Sequence, residues 1–587
     1  MNFAATSPFY RVALILTLAT LLAGCSQTAA PAKEKKKAAA SAPATEQAAV
    51  CMVASVQPLA TEAGVAAFEA GGNAIDAAVA TAVTLGVVDN HNSGLGGGCF
   101  ILIHLADGTL VAIDGREEAP AAATRDMFLR DGEADPELSQ TGPLAIGIPG
   151  ALAAYDLAVT KYGKLPLKQL LLPAAKIAEE GFPIDRIYAG KLKASAKTLD
   201  KFAGSRGALL QADGGAYNEG DILKQPDLAR SYRAMAEEGT DWFYRGGYAE
   251  KVARWMADNG GIITTADFAG YKPVEREPLK TTYRDWTIVG FPPPSSGGVH
   301  VAQMLNMLET FDLKKEYKED PAQALHIIAE SMKLAFADRA YWLGDPDEVG
   351  VPRGLIDKGY AVALAERIDP KKVTAVPSHG EPPAAAEDVF GKKHTTHITA
   401  ADSDGNWVAI TATVNTTFGS KVIVPGTGIV LNNEMDDFSA QPGKPNAFGL
   451  VGAENNAVAP GKRPLSSMTP TIVLKGGKPV MTVGAAGGPK IITSVLLAIL
   501  RRLDFEQSLA DAVGSPRIHQ QWMPDVLTVE KKMPEEIVKE LEERGHKIDL
   551  IDSGAVAQAI EIDGNGQFMG VHDPRVPGKA AGGKRPK

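Results

Sequence analysis

The sequence predicts a globular α/β (α+β) protein, because helix-like and strand-like runs alternate along most of its 587 residues. Apolar side chains recur with helical spacing in four long stretches, residues 167–180, 227–238, 248–259 and 322–341. A strand, an Asp-Gly turn and a second strand follow one another over residues 99–113. With 45% hydrophobic and 22% charged residues, the chain can bury a large core.

Two helices rich in small residues are predicted near the start of the folded part. Residues 58–70 have helical character and end at Gly71-Gly72, and an alanine-rich run starts at Asn73 and continues to residue 82. Small side chains let helices approach closely, so we expect this region to be tightly packed.

Composition excludes several classes of function. The net charge is −10 and the basic residues are scattered, so nucleic acid is not an expected partner. The three cysteines, Cys25, Cys51 and Cys99, form no C-x-x-C pair and lack histidines at zinc-ligand spacing. We therefore predict no disulfide framework, no metal and no cofactor, and we expect small polar ligands.

The amino terminus has the features of an export signal. Arg11 precedes an apolar run over residues 12–22, which is too short to cross a bilayer core of ~30 Å as a helix. The run ends in a Leu-Ala-Gly-Cys sequence at Cys25, which resembles a bacterial lipobox. We predict a lipoprotein signal peptide over residues 1–24 and lipidation of Cys25; an ordinary signal peptide is the alternative.

Residues 25–50 are predicted to carry the lipid and form a flexible tether. The segment is rich in Ala, Pro, Lys and Ser and has no apolar periodicity, so it cannot bury enough surface to offset its ordering entropy. Ser26 after the cysteine resembles lipoproteins that are sorted to the outer membrane. The expected location is periplasmic, with a lipid anchor in the membrane, most simply the outer one.

A composition change marks the middle of the chain. Residues 376–393 are rich in Pro, Ala, Gly and charge and are predicted to form a mobile surface segment. Two alternating runs follow, residues 395–401 and 406–414, around an Asp-Ser-Asp-Gly turn, which predicts a β-hairpin. A three-residue loop places Thr413 opposite Thr395, whereas a two-residue turn places Val414 there.

Several motifs, taken together, resemble the γ-glutamyltranspeptidase family, and they occur in the family's order from residue 52 to residue 575. They are Asp114-Gly115-Arg116-Glu117, Pro294-Ser295-Ser296-Gly297-Gly298, Gly344-Asp345-Pro346, Thr395-Thr396-His397, Asn415-Thr416-Thr417-Phe418-Gly419, Leu431-Asn432-Asn433-Glu434-Met435-Asp436-Asp437-Phe438, Pro464-Leu465-Ser466-Ser467-Met468, Gly487-Gly488 and Asp573-Pro574-Arg575.

The resemblance implies a fold and a maturation step. The family belongs to the N-terminal nucleophile (Ntn) hydrolases, whose fold is a four-layer αββα sandwich. The precursor is expected to cut itself between His394 and Thr395. This gives a large subunit of residues 51–394 and a small subunit of residues 395–587, which stay together because they share one core.

The resemblance also assigns the nucleophile. A threonine hydroxyl is weakly nucleophilic, but the freed α-amine of Thr395, with a reference pKa of about 7.7–8.0, can accept its proton near neutral pH. Thr413 matches the threonine that orients the nucleophile. Glycines at the matched positions Gly487 and Gly488 allow two backbone N–H groups to form an oxyanion hole.

A γ-glutamyl donor carries an α-carboxylate and an α-ammonium, and the matched positions supply partners for both. Arg116, helped by the hydroxyls of Ser466 and Ser467, is expected to bind the carboxylate in a two-pronged geometry. Hydrogen-bond acceptors for the ammonium are expected at three positions, Asn415, Glu434 and Asp437.

The expected function is therefore transfer of the γ-glutamyl group of glutathione and related amides to water, an amino acid or a dipeptide. Residues 438–464 resemble the lid loop of the family, although Phe448 stands where close bacterial relatives usually carry tyrosine. Two alternatives remain, a cephalosporin or glutaryl acylase of the same fold and an inactive surface lipoprotein.

Overall fold

The computed structural model describes residues 45–383, residue 390 and residues 398–583. The predicted signal peptide, Cys25, most of the tether, His394 and Thr395 lie outside the described residues. Within the described ranges, no helix combines the length and the apolar character needed to span a lipid bilayer.

Two seven-stranded antiparallel sheets form the centre of the protein, with strands numbered along the chain. Sheet I contains, in spatial order, β1 (Thr45–Ala48), β20 (Phe568–His572), β19 (Val556–Ile562), β15 (Lys478–Ala486), β14 (Thr471–Lys475), β11 (Trp286–Gly290) and β10 (Leu279–Tyr283). Sheet II contains β21 (Lys579–Gly583), β2 (Cys51–Ser55), β12 (Thr399–Asp402), β13 (Trp407–Thr413), β3 (Gly98–His104), β4 (Leu110–Gly115) and β9 (Val274–Arg276).

The two sheets pack face to face, and the alternation along β3 shows how. Phe100 and Leu102 belong to the core that includes sheet I, whereas Ile101 and Ile103 belong to the core that includes the first group of helices. This period of two is that of a strand buried on both faces. Between the sheets, the ring of Trp407 lies 5.6 Å from that of Phe568, centroid to centroid.

Helices cover both outer faces. The group packed on sheet II contains α1 (Pro58–Glu69), α2 (Ala74–Val88), α4 (Ala151–Tyr162), α5 (Leu167–Glu180), α6 (Arg186–Leu199), α7 (Ala203–Leu209), α8 (Pro226–Glu238), α9 (Thr240–Tyr244), α10 (Gly247–Asn259) and α11 (Thr265–Gly270). The group on the side of sheet I contains α12 (Ser296–Leu308), α13 (Leu313–Glu319), α14 (Pro321–Trp342), α15 (Lys358–Ala365), α16 (Lys490–Leu503), α17 (Leu509–Gly514) and α18 (Glu535–Glu543). The predicted four-layer αββα sandwich is confirmed.

Short elements complete the fold. The helix α3 (Pro136–Gln140) packs beside the 3₁₀ helix Glu434–Asp437, and further 3₁₀ turns occupy Pro143–Ala145, Arg353–Ile356 and Glu454–Asn456. The remaining strands are β5 (Leu129–Arg130), β6 (Glu133–Ala134), β7 (Phe182–Pro183), β8 (Ile222–Leu223), β16 (Ile518–His519), β17 (Leu527–Glu530) and β18 (Ile548–Ile551).

The predicted helices are confirmed, and their ends follow from local chemistry. The Asn73 side chain accepts hydrogen bonds from the first turn of α2 while the Asp76 carboxylate accepts from the Asn73 N–H, a capping box. Helix α1 is followed by Gly71 at φ +93°, a conformation that favours glycine. Helix α2 runs to Val88 rather than ending at residue 82, because its whole length is buried.

Two sequence expectations are corrected. The last residues of the predicted tether are not a free chain, since Thr45–Ala48 form β1 and pair with β20; backbone pairing at a sheet edge needs no apolar pattern. The described part of the predicted mobile segment is held in place. The carbonyl of buried Val376 accepts from the Trp522 indole N–H (2.8 Å), and that of Gly380 accepts from Trp342 (3.1 Å).

The predicted hairpin is confirmed, with the register of the three-residue loop. Thr399 lies opposite Ala409, and Ala401 lies opposite Trp407. Thr395 is outside the described residues, so the register is tested for β12 and β13 only. Both sheets combine strands from before residue 395 with strands from after it. The two predicted subunits therefore share both sheets.

Candidate active site

One cavity of about 310 Å³ brings together nine of the predicted site residues. It opens where the end of β13 in sheet II meets the end of β15 in sheet I. Its lining includes Arg116, Thr413, Asn415, Glu434, Asp437, Ser466, Ser467, Gly487 and Gly488. The two remaining predicted residues at this site, His394 and Thr395, lie outside the described residues.

Thr413 and Asn415 are oriented by a tight turn at the end of β13. The backbone N–H of Asn415 donates to Thr413 Oγ1 (2.7 Å), and Asn415 itself has φ +75°. The Asn415 side-chain amide donates to the carbonyl of Asn433 (2.9 Å). As a result, the Thr413 hydroxyl keeps its own hydrogen to donate, and the side-chain oxygen of Asn415 is left as an acceptor.

Arg116 is fully buried and uses its donors within the protein. Nε donates to the carbonyl of Pro464 (3.1 Å) and Nη2 to that of Leu465 (3.2 Å). The fork also pairs with two carboxylates: Nη2 lies 2.6 Å from Asp437 Oδ2, and Nη1 donates to Glu434 Oε1. The predicted carboxylate binder and two predicted ammonium binders thus contact one another.

This acidic cluster contains unpaired acceptors. The second oxygen of Glu434 and both oxygens of Glu117 are buried without a hydrogen-bond partner in the described part of the chain. Glu117 lies 3.8 Å from Arg116 Nη1, and burial raises the pKa of Glu117 to about 7 despite that positive charge. Burial likewise raises the pKa of Glu434. Buried acceptors without donors are costly, so the cluster is suited to a cation.

The backbone that carries Arg116 is fixed by a second buried ion pair. Asp114 accepts from the Arg116 N–H (2.9 Å), and Tyr271 donates to the Arg116 carbonyl (2.8 Å). Asp114 in turn pairs with Arg276 (2.8 Å) and with Arg463. Asp114 therefore fixes the loop after β4 and so the position of Arg116 at the cavity.

Asn432 fixes the backbone of the 3₁₀ helix Glu434–Asp437, which carries the carboxylates of the site. Its side-chain oxygen accepts from the N–H of Gly147 (2.9 Å) and from that of Glu434 (3.0 Å), while its amide donates to the carbonyls of Gly96 and Gly147. A fully bonded buried amide fixes the start of the 3₁₀ helix Glu434–Asp437, so the carboxylates keep one orientation.

The serine pair rests on the beginning of α12. Ser296 donates through its N–H (2.8 Å) and its hydroxyl (2.6 Å) to the carbonyl of Ser466. Gly298 lets this helix approach, because a Cβ there would lie 2.1 Å from the carbonyl oxygen of Phe291. Buried Arg339 on α14 reaches the same place and donates to Ser467 Oγ (3.0 Å).

Gly487 and Gly488 form the turn between β15 and α16. Their φ values are +144° and +60°, and a Cβ on Gly488 would lie 2.7 Å from the ring of Phe448. Among the described residues, neither backbone N–H has a protein acceptor. Two unpaired N–H groups at the edge of a cavity can stabilise a developing oxyanion.

The predicted lid loop is tied to the acidic segment and covers the glycine turn. The N–H of Ala447 donates to Asp436 (3.0 Å), and the Asn446 amide donates to Asp437 (3.4 Å). Phe448 lines the cavity and contacts Gly488 through its ring. Aromatic cover is therefore present without a tyrosine hydroxyl.

The sequence did not indicate two side chains that lie behind the cavity lining, Glu117 beside Arg116 and Arg339 beside Ser467. Glu117 follows Arg116 in the same motif, and its position there does not show whether it is paired. The sequence around Arg339 indicates only that it lies in a helix. The motifs at Asp345 and Asp573 lie outside the cavity lining and serve structure: Asp345 accepts from the Arg463 N–H, and Asp573 pairs with Arg517.

Two facing sheets between helical layers, with this cavity at the strand ends, define an Ntn hydrolase. The sequence model of the γ-glutamyltranspeptidase family matches residues 60–583. The chain belongs to the γ-glutamyltranspeptidase family.

Individual relatives agree with this assignment. The chain is 46% identical over 527 residues to the glutathione hydrolase proenzyme of Escherichia coli strain K12, covering 89% of this chain and 90% of that relative. The crystal structure of cephalosporin acylase from Bacillus halodurans superposes with a TM-score of 0.83 at 29% identity, covering 94% and 98% of the two chains. For Helicobacter pylori γ-glutamyltranspeptidase the TM-score is 0.54 at 41% identity, covering 57% of this chain and 95% of that one.

Proposed function

We propose that this protein is a self-cleaving enzyme that transfers the γ-glutamyl group of glutathione and related amides to water, amino acids or dipeptides. The observation that carries the proposal is the meeting of the predicted carboxylate, ammonium and oxyanion partners around one cavity in a chain of this family. Thr395 is the proposed nucleophile in both maturation and catalysis.

Maturation consumes one peptide bond and one water. Thr395 Oγ attacks the carbonyl carbon of His394, the C–N bond breaks, and the Thr395 α-amine becomes free while an ester links the two residues. Water then opens the ester, leaving a carboxylate on His394 and a free hydroxyl on Thr395. The resulting subunits stay associated because each contributes strands to both sheets.

Catalysis repeats this chemistry on the donor. The α-amine of Thr395 accepts the hydroxyl proton as Oγ attacks the γ-carbonyl, and the N–H groups of Gly487 and Gly488 stabilise the oxyanion. The C–N bond breaks and the leaving amine takes the proton, which leaves a γ-glutamyl ester on Thr395. Water or an acceptor amine then attacks the ester and releases glutamate or a new γ-glutamyl amide.

Donor binding exchanges partners within the ionic cluster. The α-ammonium lies against Glu434, Asp437 and the side-chain oxygen of Asn415. The second oxygen of Glu434 and the Asn415 oxygen can each accept a hydrogen bond from it. Arg116 N–H groups that now bind the two carboxylates turn to the donor α-carboxylate. The two internal ion pairs of Arg116 are thereby exchanged for ion pairs with the donor carboxylate and ammonium, which makes recognition specific for a zwitterionic end.

The likeness to a cephalosporin acylase makes an acylase the rival function. A glutaryl side chain has a carboxylate and lacks the ammonium, so it would leave the two acids that line the cavity, Glu434 and Asp437, without a cationic partner. The unpaired second oxygen of Glu434 therefore favours the γ-glutamyl donor.

The deciding experiment compares donors with purified protein. Glutathione should yield glutamate, and addition of glycylglycine should yield γ-glutamylglycylglycine, both followed by chromatography. Glutaryl-p-nitroanilide should be a poorer substrate than γ-glutamyl-p-nitroanilide. Preference for the glutaryl amide, or no turnover of either γ-glutamyl compound, would contradict the proposal.

The proposed location is the periplasmic side of a membrane, with Cys25 as the lipid-bearing residue. Support comes from the sequence pattern around Cys25 and the apolar run before it. A lipid chain with a tether would hold the enzyme at the membrane without a spanning segment.

A further inference from the structure

Arg339 is a buried cation that forms no direct ion pair with the carboxylates of the described residues. Its residue is 4% exposed on α14, and no carboxylate among the described residues lies within 4.0 Å of its guanidinium. Nη2 donates to Ser467 Oγ (3.0 Å) and Nε to Ser296 Oγ (2.9 Å). Burying an unpaired charge is costly, so a fold that retains one calls for an explanation.

We propose that Arg339 is a positioning residue that turns the hydroxyl of Ser467 toward the donor α-carboxylate and supplies positive charge behind it. The inference rests on the proposed function and adds a specificity determinant to it. Arg339 does not touch the donor; it acts through Ser467, which lines the cavity.

The direction of the hydroxyl follows from hydrogen-bond counting. Arg339 can only donate, so Ser467 Oγ must accept from it, and the single O–H hydrogen of Ser467 is left for another acceptor. Ser466 Oγ likewise accepts, from the Met468 N–H (3.3 Å), and keeps its hydrogen. Two hydroxyls held as donors at a cavity wall suit a carboxylate.

Charge points the same way. The charge of Arg116 is compensated by direct ion pairs with Glu434 and Asp437, whereas Arg339 forms no direct ion pair in the described part of the chain and interacts with Asp437 only at longer range. Burial lowers the pKa of Arg339 to about 10; the charge of Asp437 opposes this shift and that of Arg116 adds to it, and Arg339 stays charged at neutral pH. A donor carboxylate beside Ser467 would add a negative charge close to this cation.

The Nε atom of Arg339 also fixes Ser296, which holds the backbone of Ser466. The Ser296 hydroxyl accepts from Arg339 and donates to the Ser466 carbonyl (2.6 Å). The Arg339 guanidinium therefore contacts Ser467 directly and Ser466 through Ser296. Lysine could keep the charge but could not hold both hydroxyls in this planar geometry. Arg339→Lys should therefore be intermediate between wild type and Arg339→Met.

The test uses two donors that differ only in the carboxylate, γ-glutamyl-p-nitroanilide and 4-aminobutyryl-p-nitroanilide. Arg339→Met should lower kcat/KM for the first by roughly ten- to a hundredfold, mainly through KM, and change the second by less than about threefold. In a Ser467→Ala background the same substitution should add little, because both changes remove one interaction. Arg502→Met, at the half-buried pair of α16 with Glu561 and outside the cavity lining, is the matched control and should leave the donor ratio unchanged.

An equal loss on both donors by Arg339→Met and Arg339→Lys, or additive effects with Ser467→Ala, would overturn the inference. If Arg339→Met does not fold, Arg339→Lys and Ser467→Ala are compared instead. Both should lower kcat/KM for the γ-glutamyl donor more than for the 4-aminobutyryl donor. Absence of wild-type turnover of γ-glutamyl-p-nitroanilide would overturn the proposed function as well. Normal wild-type turnover with unselective variants would overturn only the role of Arg339.

Discussion

Arg116 and Asp437, 321 residues apart in sequence, are joined by an ion pair of 2.6 Å between Nη2 and Oδ2. Glu434 holds the other arm of the same guanidinium. Since residue 116 precedes the predicted cleavage site and residue 437 follows it, this pair connects the two predicted subunits at the cavity. It also means that the site already contains, bonded to one another, the charges proposed to recognise the donor.

Arg116→Lys should be a substantial loss although the charge is kept. Lysine cannot reproduce the fork that reaches two carboxylates and two carbonyls. Charge-assisted hydrogen bonds contribute about 1.5–3 kcal/mol each, so kcat/KM for γ-glutamyl-p-nitroanilide should fall roughly ten- to a hundredfold. Self-cleavage involves no donor carboxylate, so the variant should still run as two subunits. Arg125→Lys, at the exposed pair with Glu454, is the control; equal kcat/KM in the two variants would remove Arg116 from donor binding.

Thr413→Ala should slow both self-cleavage and kcat, with a smaller effect on KM. The hydroxyl accepts from the Asn415 N–H and retains a hydrogen that can orient the nucleophile. Loss of one neutral hydrogen bond predicts about a tenfold fall in kcat. Time courses of subunit formation and steady-state kinetics would measure both steps. The exposed strand residue Thr282 gives a matched Thr→Ala control, and a changed KM with unchanged kcat would assign Thr413 to binding.

Glu117→Gln should make the fall of stability with rising pH less steep between pH 4.5 and about 7. Burial raises the pKa of Glu117 from 4.5 to about 7, so in this window the folded state holds a proton that the unfolded state has lost. The free energy of unfolding of the wild type therefore falls as pH rises, by up to about 1.4 kcal/mol per unit from this group. Thermal unfolding across the window measures the slope. Exposed Glu219→Gln should not change it; a Glu117→Gln slope equal to that of the wild type would contradict the assignment.

Cys25→Ala should release the enzyme from the membrane fraction or block its processing, because the proposed anchor depends on one thiol. Fractionation, activity assays and mass spectrometry of the amino-terminal peptide would follow the change. Buried Cys51→Ala should stay in the membrane fraction. A Cys25 variant that remains membrane-bound with the same acyl content would rule out lipidation at this residue.

Local patterns in the sequence predicted much of the fold. Periodicity predicted α5 with its observed bounds, and the Asp-Ser-Asp-Gly turn restricted the hairpin to two registers, of which the structure has the one pairing Thr399 with Ala409. The strand Thr45–Ala48 was missed because its order comes from pairing with a distant edge strand rather than from its own composition.

At the site, motif resemblance identified residue types, and the structure adds their connections. That Arg116 binds Glu434 and Asp437 could not be read from two separate motifs, since the contact depends on how the loop after β4 and the 3₁₀ helix Glu434–Asp437 meet in the fold. Arg339 was missed for the same reason. Its hydrogen bonds to Ser296 and Ser467 depend on the three-dimensional fold, and its sequence neighbours indicate only a helix.

The most direct test of the account is intact-mass analysis of purified wild-type protein and Thr395→Ala, combined with a glutathione assay. The wild type should be active and consist of two chains, the smaller beginning at Thr395. The alanine variant should be a single uncut chain without activity, because one hydroxyl starts both reactions. Cleavage of Thr395→Ala between His394 and residue 395, or a wild-type small chain that begins elsewhere, would contradict the account.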